Sequence, residues 1–338
     1  MNRLRWGIIG TGRIAKTFAQ NLAASRTGRL VAVGSRSPQT AQQFGDQFNL
    51  SPAHRHASYD ALLADADVQA VYISTPHPWH AEWAIRAAQA GKHILCEKPL
   101  TMNHAEAVAV VEAARANNVF LMEAFMYRCH PQTTKLVELL REKTVGEVRL
   151  IQVAFSFQAK FAPGSRLFAP ELGGGGILDV GCYTVSMARL VAGAEPVEVH
   201  GCAHLGQTGV DEWATAILKF PGDVLGQLST GLSLHQEPVV RIFGSTGRIV
   251  VPNPWITNRT EANTERILLY RNATPEEIIV PSHVTSFTLE ADVVGDAVAA
   301  GRLEASPPAM TWADSLGNMR TLDRWRQAVG LRYPGEPA

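Results

Sequence analysis

The sequence predicts an α/β protein in two parts: a doubly wound parallel sheet over residues 1–125, then an α+β unit with a large, mostly antiparallel open sheet over 126–330. Three observations lead there. Strand-length apolar runs alternate with helical apolar spacing up to about residue 125. A G-x-G-x-x-A turn joins the first strand to the first helix, and beyond about residue 147 the strands follow one another without helices between them. At 338 residues the chain is long enough to bury two cores.

Trp6 to Ile9 reads as a short buried strand, and Arg13 to Ala24 carries apolar residues at helical spacing (Ile14, Phe18, Leu22). Between them, Gly10 allows a tight turn, Gly12 lets backbone approach a phosphate, and Ala15 is small enough for close helix–strand packing. A dinucleotide pyrophosphate would rest on the free N–H groups at Gly12, Arg13 and Ile14, where the helix begins. The second strand, Leu30 to Gly34, is followed by Ser35-Arg36-Ser37-Pro38. The acidic residue that bonds a ribose 2′-hydroxyl in NAD sites is missing there, and Ser35 and Arg36 suit a 2′-phosphate, so NADP is expected over NAD. Ser37 is placed to cap a helix that begins at Pro38.

A short helix over Tyr59 to Ala64 leads to a third strand, Ala70 to Ser74. A helix over His80 to Ala90 stops at Gly91, a fourth strand spans His93 to Cys96, Asn103 with Glu106 starts a long helix, and Val119 to Phe125 closes the series. Strands separated by helices of this length form a parallel sheet covered on both faces, a Rossmann-type domain. In the second unit, Glu147 to Phe157, Val197 to His204, Trp213 to Phe220, Val224 to Thr230, Val239 to Phe243 and Arg248 to Val251 read as strands. Helices are expected at about 176–191, 287–300 and after Thr311, the last able to pack back on the first domain, with a tail at 331–338 that frays from Pro334.

Lys plus Arg and Asp plus Glu number 31 each, which argues against general affinity for nucleic acid or anionic membrane. Cys96, Cys129, Cys182 and Cys202 show no C-x-x-C spacing, so reduced structural thiols and no metal are expected. With no signal peptide and no membrane-length apolar run, a cytoplasmic location is expected.

Three segments are expected to meet at the carboxyl ends of the parallel strands, where ligands bind such sheets. One is Ser74-Thr75-Pro76-His77-Pro78-Trp79-His80, in which Thr75, Pro76 and His80 are cofactor candidates. Another is Glu97-Lys98-Pro99. The last is a mobile glycine run, Gly173 to Gly176, leading into a helix on which Asp179 and Tyr183, four apart, share one face.

On these residues the chain resembles the Gfo/Idh/MocA family of oxidoreductases from about residue 4 to 330. Glu97-Lys98-Pro99 is similar to the family's E-K-P motif, which implies a cis peptide before Pro99. Leu178-Asp179-Val180-Gly181-Cys182-Tyr183 and Phe120 to Arg128 look like the branch of dihydrodiol and NADP-dependent xylose dehydrogenases, while many relatives carry His where Tyr183 stands. The resemblance implies hydride transfer between NADP and an alcohol or carbonyl of a polyol, sugar or dihydrodiol, in a homodimer or homotetramer.

An alcohol oxidation needs a base for the hydroxyl proton, and carbonyl reduction needs the matching acid. Tyr183 is expected in that role, with Lys98 lowering its pKa and orienting it. Asp179 would hold a second hydroxyl and keep Lys98 charged. Lys98 and Tyr183 are coupled, so the scheme with Lys98 as proton donor stays open. Glu97 is a candidate for the cofactor ribose, and Arg128, Arg166 and Phe168 for the substrate pocket. Two other readings remain. One is a sugar–sugar oxidoreductase with permanently bound NADP, disfavoured by the missing N-terminal extension. The other is a non-catalytic NAD(P)-binding sensor, which would have no chemical need for Lys98, Asp179 and Tyr183.

Overall fold

A computed structural model describes residues 3–255 and 264–336. The first part alternates β1 (Leu4–Ile9), α1 (Arg13–Leu22), β2 (Gly28–Gly34), α2 (Pro38–Gln47), β3 (Arg55–His56), α3 (Tyr59–Leu63), β4 (Ala70–Ile73), α4 (His80–Gln89), β5 (His93–Glu97), α5 (His104–Ala116) and β6 (Leu121–Ala124). Its strands form one parallel sheet in the order β3-β2-β1-β4-β5-β6. The order reverses between β1 and β4, which opens a crevice at their carboxyl ends. Apolar runs become fully buried strands because helices cover both faces: all of β4 is buried. Phe18 of α1 stacks on Tyr72 of β4 at 4.0 Å between centroids and meets Trp6 of β1 edge-on at 5.4 Å. Ser37 and Asn103 cap their helices, accepting from Thr40 N at 3.4 Å and Glu106 N at 3.0 Å.

The second part runs α6 (Pro131–Arg141), β7 (Val148–Ser156), α7 (Cys182–Ala192), β8 (Glu198–Leu205), β9 (Asp211–Lys219), β10 (Leu225–Gly231), β11 (Val239–Gly244), β12 (Arg248–Val251), β13 (Thr264–Tyr270), β14 (Glu276–Pro281), α8 (Ser286–Ala299) and α9 (Trp312–Ala328). Its sheet has eight strands in the order β14-β13-β12-β11-β7-β10-β9-β8, antiparallel except between β10 and β7. α7 is buried along nearly its whole length between this sheet and α9.

Four expectations change. α6 lies where no element was expected; His130 accepts from Gln132 N at 3.1 Å and Pro131 takes the first helical position, a cap pair without a strong apolar stripe behind it. β13 and β14 extend the sheet, and β3 adds a two-residue edge to the first. The helix expected at 176–191 begins as a π-helical turn, Ile177–Gly181, before α7. The tail is tied down rather than frayed as far as residue 336: Glu336 accepts from Arg326 at 2.8 Å and from Tyr333 N at 2.9 Å, and Tyr333 is buried.

The two parts interlock. Asp292 of α8 accepts from Ser25 Oγ at 2.6 Å and Thr27 Oγ1 at 2.8 Å, fixing α8 against α1. α9 packs on α5 and α7, with the Trp312 indole donating to Leu121 O at 3.1 Å. No helix among the described residues is long and apolar enough to cross a membrane.

Candidate active site

A cavity of about 900 Å³ opens at the carboxyl ends of the parallel strands. At one end lies the first glycine turn. Gly10 has φ +101°, and a Cβ there would come within 2.9 Å of Ser74 Oγ. Nothing stands within 4 Å of where a Gly12 Cβ would be, no side chain caps α1, and its first turn holds no acidic residue. The N–H groups of Arg13 and Ile14 therefore begin a helix whose N-terminus is open to the cavity and uncompensated, a suitable cradle for a pyrophosphate. Ser35 and Arg36 line the cavity beside Thr40 and Tyr59. The Ser35 and Thr40 hydroxyls share a hydrogen bond, and the Arg36 guanidinium lies 5.9 Å from the centre of the Trp79 ring.

Thr75, Pro76, His77 and His80 also line the cavity, and the Thr75 hydroxyl is buried without a partner among the described residues. The His80 ring bridges two backbone carbonyls, Pro99 O and Thr75 O, each at 2.8 Å, and so ties the Lys98–Pro99 turn to the β4 loop. Burial pushes His80 below its ordinary pKa, while the two carbonyls pull the other way. Burial, aided by His80, lowers His77 to about 3, so that ring is neutral; it faces Gly173 O at 3.1 Å. Glu97 accepts from the Tyr72 hydroxyl and from Lys98 N at 3.3 Å, and burial raises its carboxyl. The Lys98–Pro99 peptide is cis.

The second end carries the charges. Lys98 Nζ donates to Asp179 O at 2.6 Å and to Asp179 Oδ1 at 3.3 Å, and Arg166 donates to Asp179 Oδ1 at 2.9 Å. Burial would raise the Asp179 carboxyl, but Lys98 and Arg166 outweigh it and hold it well below the usual carboxylate range. Tyr183 stands next to this group, with Lys98 Nζ 5.1 Å from its ring centre and its hydroxyl donating only to Met126 Sδ at 3.4 Å. The expected lowering of the Tyr183 pKa is not found in this arrangement. Burial, then Glu97 and other nearby acids, push the phenol well above its ordinary value, because the lysine faces the ring and bonds Asp179 instead. Met126, Phe155 and Phe157 form an apolar wall, with Trp255 stacked behind Phe155 at 5.1 Å.

Two substrate candidates stand elsewhere. Arg128 is 1% exposed; it donates to Pro308 O and to Ser186 Oγ at 3.3 Å and pairs with Asp314 at 3.2 Å. Phe168 is fully buried against Phe161, 5.1 Å between centroids, while its neighbour Leu167 faces the cavity. The glycine run is packed inside the protein rather than exposed. Gly173 to Gly176 are all buried, and a Cβ on Gly174 would lie 2.7 Å from Leu167 O, so glycine serves close backbone packing. Sequence reasoning missed Tyr59, Phe155, Phe157 and Phe287 as lining residues, since no motif marks them.

Away from this cavity, Asp65 accepts from His54 at 2.7 Å and His56 at 2.8 Å, the one group among the described residues with metal-ligand proximity. Burial raises the Asp65 carboxyl, yet the two imidazole bonds bring it down to about 2. Lys92 Nζ already sits on Asp65 O at 2.8 Å, so the cluster works as a hydrogen-bonded staple of β3 to the turn before β4.

Residues 4–125 match the oxidoreductase family with an NAD-binding Rossmann fold, and residues 133–250 match the GFO/IDH/MocA C-terminal domain. The chain is 33% identical over 334 residues to trans-1,2-dihydrobenzene-1,2-diol dehydrogenase of Xenopus laevis, spanning 98% of this chain and 99% of the relative. It is 34% identical to an uncharacterised oxidoreductase of Rhizobium meliloti, over 96% of both chains. A 3-ketoreductase from Actinomadura kijaniata, solved with TDP-benzene and NADP, superposes with a TM-score of 0.85 at 30% identity, covering 97% of this chain and 98% of the other.

The surroundings of Arg128 give a test of its structural role. Arg128→Ala should lower unfolding free energy by about 3–5 kcal/mol, since it leaves buried acceptors and Asp314 unpaired. Urea titration measures this, and a normal stability together with a raised KM would return Arg128 to the substrate.

Proposed function

The chain belongs to the Gfo/Idh/MocA family of oxidoreductases, and on that premise we propose that it is an NADP-dependent dehydrogenase or reductase acting on a secondary alcohol or carbonyl of a sugar or trans-dihydrodiol. The observation that carries this reading is that Lys98, Asp179 and Tyr183 share one cavity with the glycine turn and Arg36. Residues 1–125 serve the cofactor, and 126–330 serve substrate and assembly.

The nicotinamide, when bound, supplies or accepts the hydride. The N-terminus of α1 holds the pyrophosphate, and Ser35 with Arg36 holds the 2′-phosphate. In carbonyl reduction the carbon gains the hydride while the Tyr183 hydroxyl gives its proton to the oxygen; oxidation reverses both transfers. A phenol raised above its ordinary pKa keeps its proton at neutral pH, which suits donation. Lys98, anchored on Asp179, orients the substrate oxygen, and Asp179 accepts a bond from a neighbouring hydroxyl. The apolar wall beside these charges suits a ring with hydroxyls on one edge and hydrocarbon on another.

We also propose a homo-oligomer joined through the open sheet face. Trp213 and Ile217 of β9 and Leu225 of β10 are 40%, 46% and 43% exposed there, an apolar group that a second copy would cover. Light scattering should give at least twice the single-chain mass, and Ile217→Asp should reduce it; a monomeric parent would refute the face.

Turnover is read by nicotinamide absorbance against aldoses, dihydrodiols, inositols and dicarbonyls. Tyr183→Phe should slow turnover by roughly 10²–10⁴ with NADP affinity unchanged, because only the proton is lost. In the parent, the oxidative rate should rise toward alkaline pH as the phenol ionises. Near-normal turnover of the variant would shift proton transfer to Lys98. Arg36→Ala should weaken NADP binding by on the order of ten- to a hundredfold and NAD binding far less. Equal losses in calorimetry would remove the 2′-phosphate role.

A further inference from the structure

The π-helical turn that carries Asp179 has no cap from its own N-terminal residue, Gly176. The cap comes from the eight-stranded sheet of the same unit. Asp211, at the start of β9, is fully buried, and its Oδ2 accepts from Ile177 N at 2.7 Å and faces the N–H of Gly176. Its Oδ1 has no hydrogen-bond partner among the described residues, and a Cβ on Gly175 would lie 2.2 Å from it. Gly175, at φ +113°, is the residue that lets the carboxyl group reach the backbone. Thr230 Oγ1 donates to Gly176 O at 3.2 Å and the Tyr333 hydroxyl to Gly174 O at 2.6 Å, so the same backbone is gripped from β10 and from the C-terminal segment.

From Asp211 a short chain of contacts reaches the site. Asp179 N donates to Gly175 O at 3.2 Å, and the Asp179 carboxylate then meets Lys98 and Arg166. A buried acid with no ion-pair partner destabilises the fold, so its presence calls for a compensating role. We propose that Asp211 is a positioning residue of the active site: by holding the N–H of Ile177 it sets where Asp179 and Tyr183 stand relative to Lys98. Its side chain does not line the cavity, and it acts through the turn.

Burial raises the Asp211 carboxyl from 3.8 to about 7, against the pull of the backbone N–H groups and of Arg326 on α9. The Tyr333 phenol faces it from the C-terminal segment. The ionised form accepts the N–H bonds more strongly, so the turn tightens as pH rises through about 7. Stability moves the opposite way. A folded-state pKa above the unfolded one means the contribution is full below about 3.8 and is lost as pH rises through about 7.

The inference rests on the proposed reaction for its kinetic part, and Asp211→Asn and Asp211→Ala test it together with the parent protein. The Ala variant should lose kcat by on the order of 10²-fold through misplacement alone, with NADP affinity unchanged in calorimetry. The Asn variant, which keeps an acceptor oxygen, should recover most of kcat while losing an inflection near pH 7 that the parent shows. Melting temperatures between pH 4 and 8 should fall in the parent relative to the Asn variant, a readout that needs no turnover. A parent with that melting difference and no activity would sink the proposed function and not the titration of Asp211. An Ala variant with unchanged kcat, or an Asn variant that keeps the inflection, would overturn the positioning role. Should the Ala variant fail to fold, the Asn pH profile decides alone.

Discussion

The carboxylate of Asp179 is the charge on which the charged end of the cavity depends. It is 4% exposed, and a carboxylate so buried stays ionised only against strong partners. Lys98 arrives from the end of β5 and Arg166 from the segment between β7 and α7, so one ion group joins the parallel sheet to the second unit. Removing Lys98 would leave a buried charge short of compensation, a situation that costs about 3–5 kcal/mol in buried pairs, whereas Arg166 is half exposed and its loss would be partly made up by water. That constraint explains why Lys98 faces the Tyr183 ring rather than its hydroxyl: the ammonium is already committed to Asp179.

The cofactor end obeys a different requirement. It needs open backbone donors, and it has them because Gly12 caps nothing and α1 begins without an acid. The strand reversal between β1 and β4 puts this helix start beside the β4 and β5 loops, so the open donors and the Lys98–Asp179–Tyr183 group share one crevice.

The second unit is more than a lid on that crevice. It supplies Asp179, Tyr183, Arg166 and the apolar wall, and α8 and α9 return to pack on α1 and α5. Buried bonds such as Asp292 to Ser25 hold the two sheets in one relation. The packing of Gly173 to Gly176 follows from the same closeness: Gly173 lies against the Met102 and His77 side chains of the first unit, Gly174 against Leu167 backbone, and Gly175 and Gly176 against the Asp211 carboxyl group.

What the sequence determined alone was local. The glycine turn, Ser35 and Arg36 after β2, the caps at Ser37 and Asn103 and the alternation of strands with helices all depend on residues near one another in the chain, where spacing and backbone preference act directly. The Lys98 and Tyr183 motifs were legible through family resemblance. Tertiary structure alone decided the rest. Arg128 and Phe168 look like pocket residues in sequence, yet Arg128 is consumed by Asp314 and Pro308, about 180 positions away. The protonation of Tyr183, the close packing of the glycines and the buried cap from Asp211 depend on burial and on groups brought together by the assembled fold. Burial and long-range charge are properties of the assembled fold, and no local run of residues encodes them.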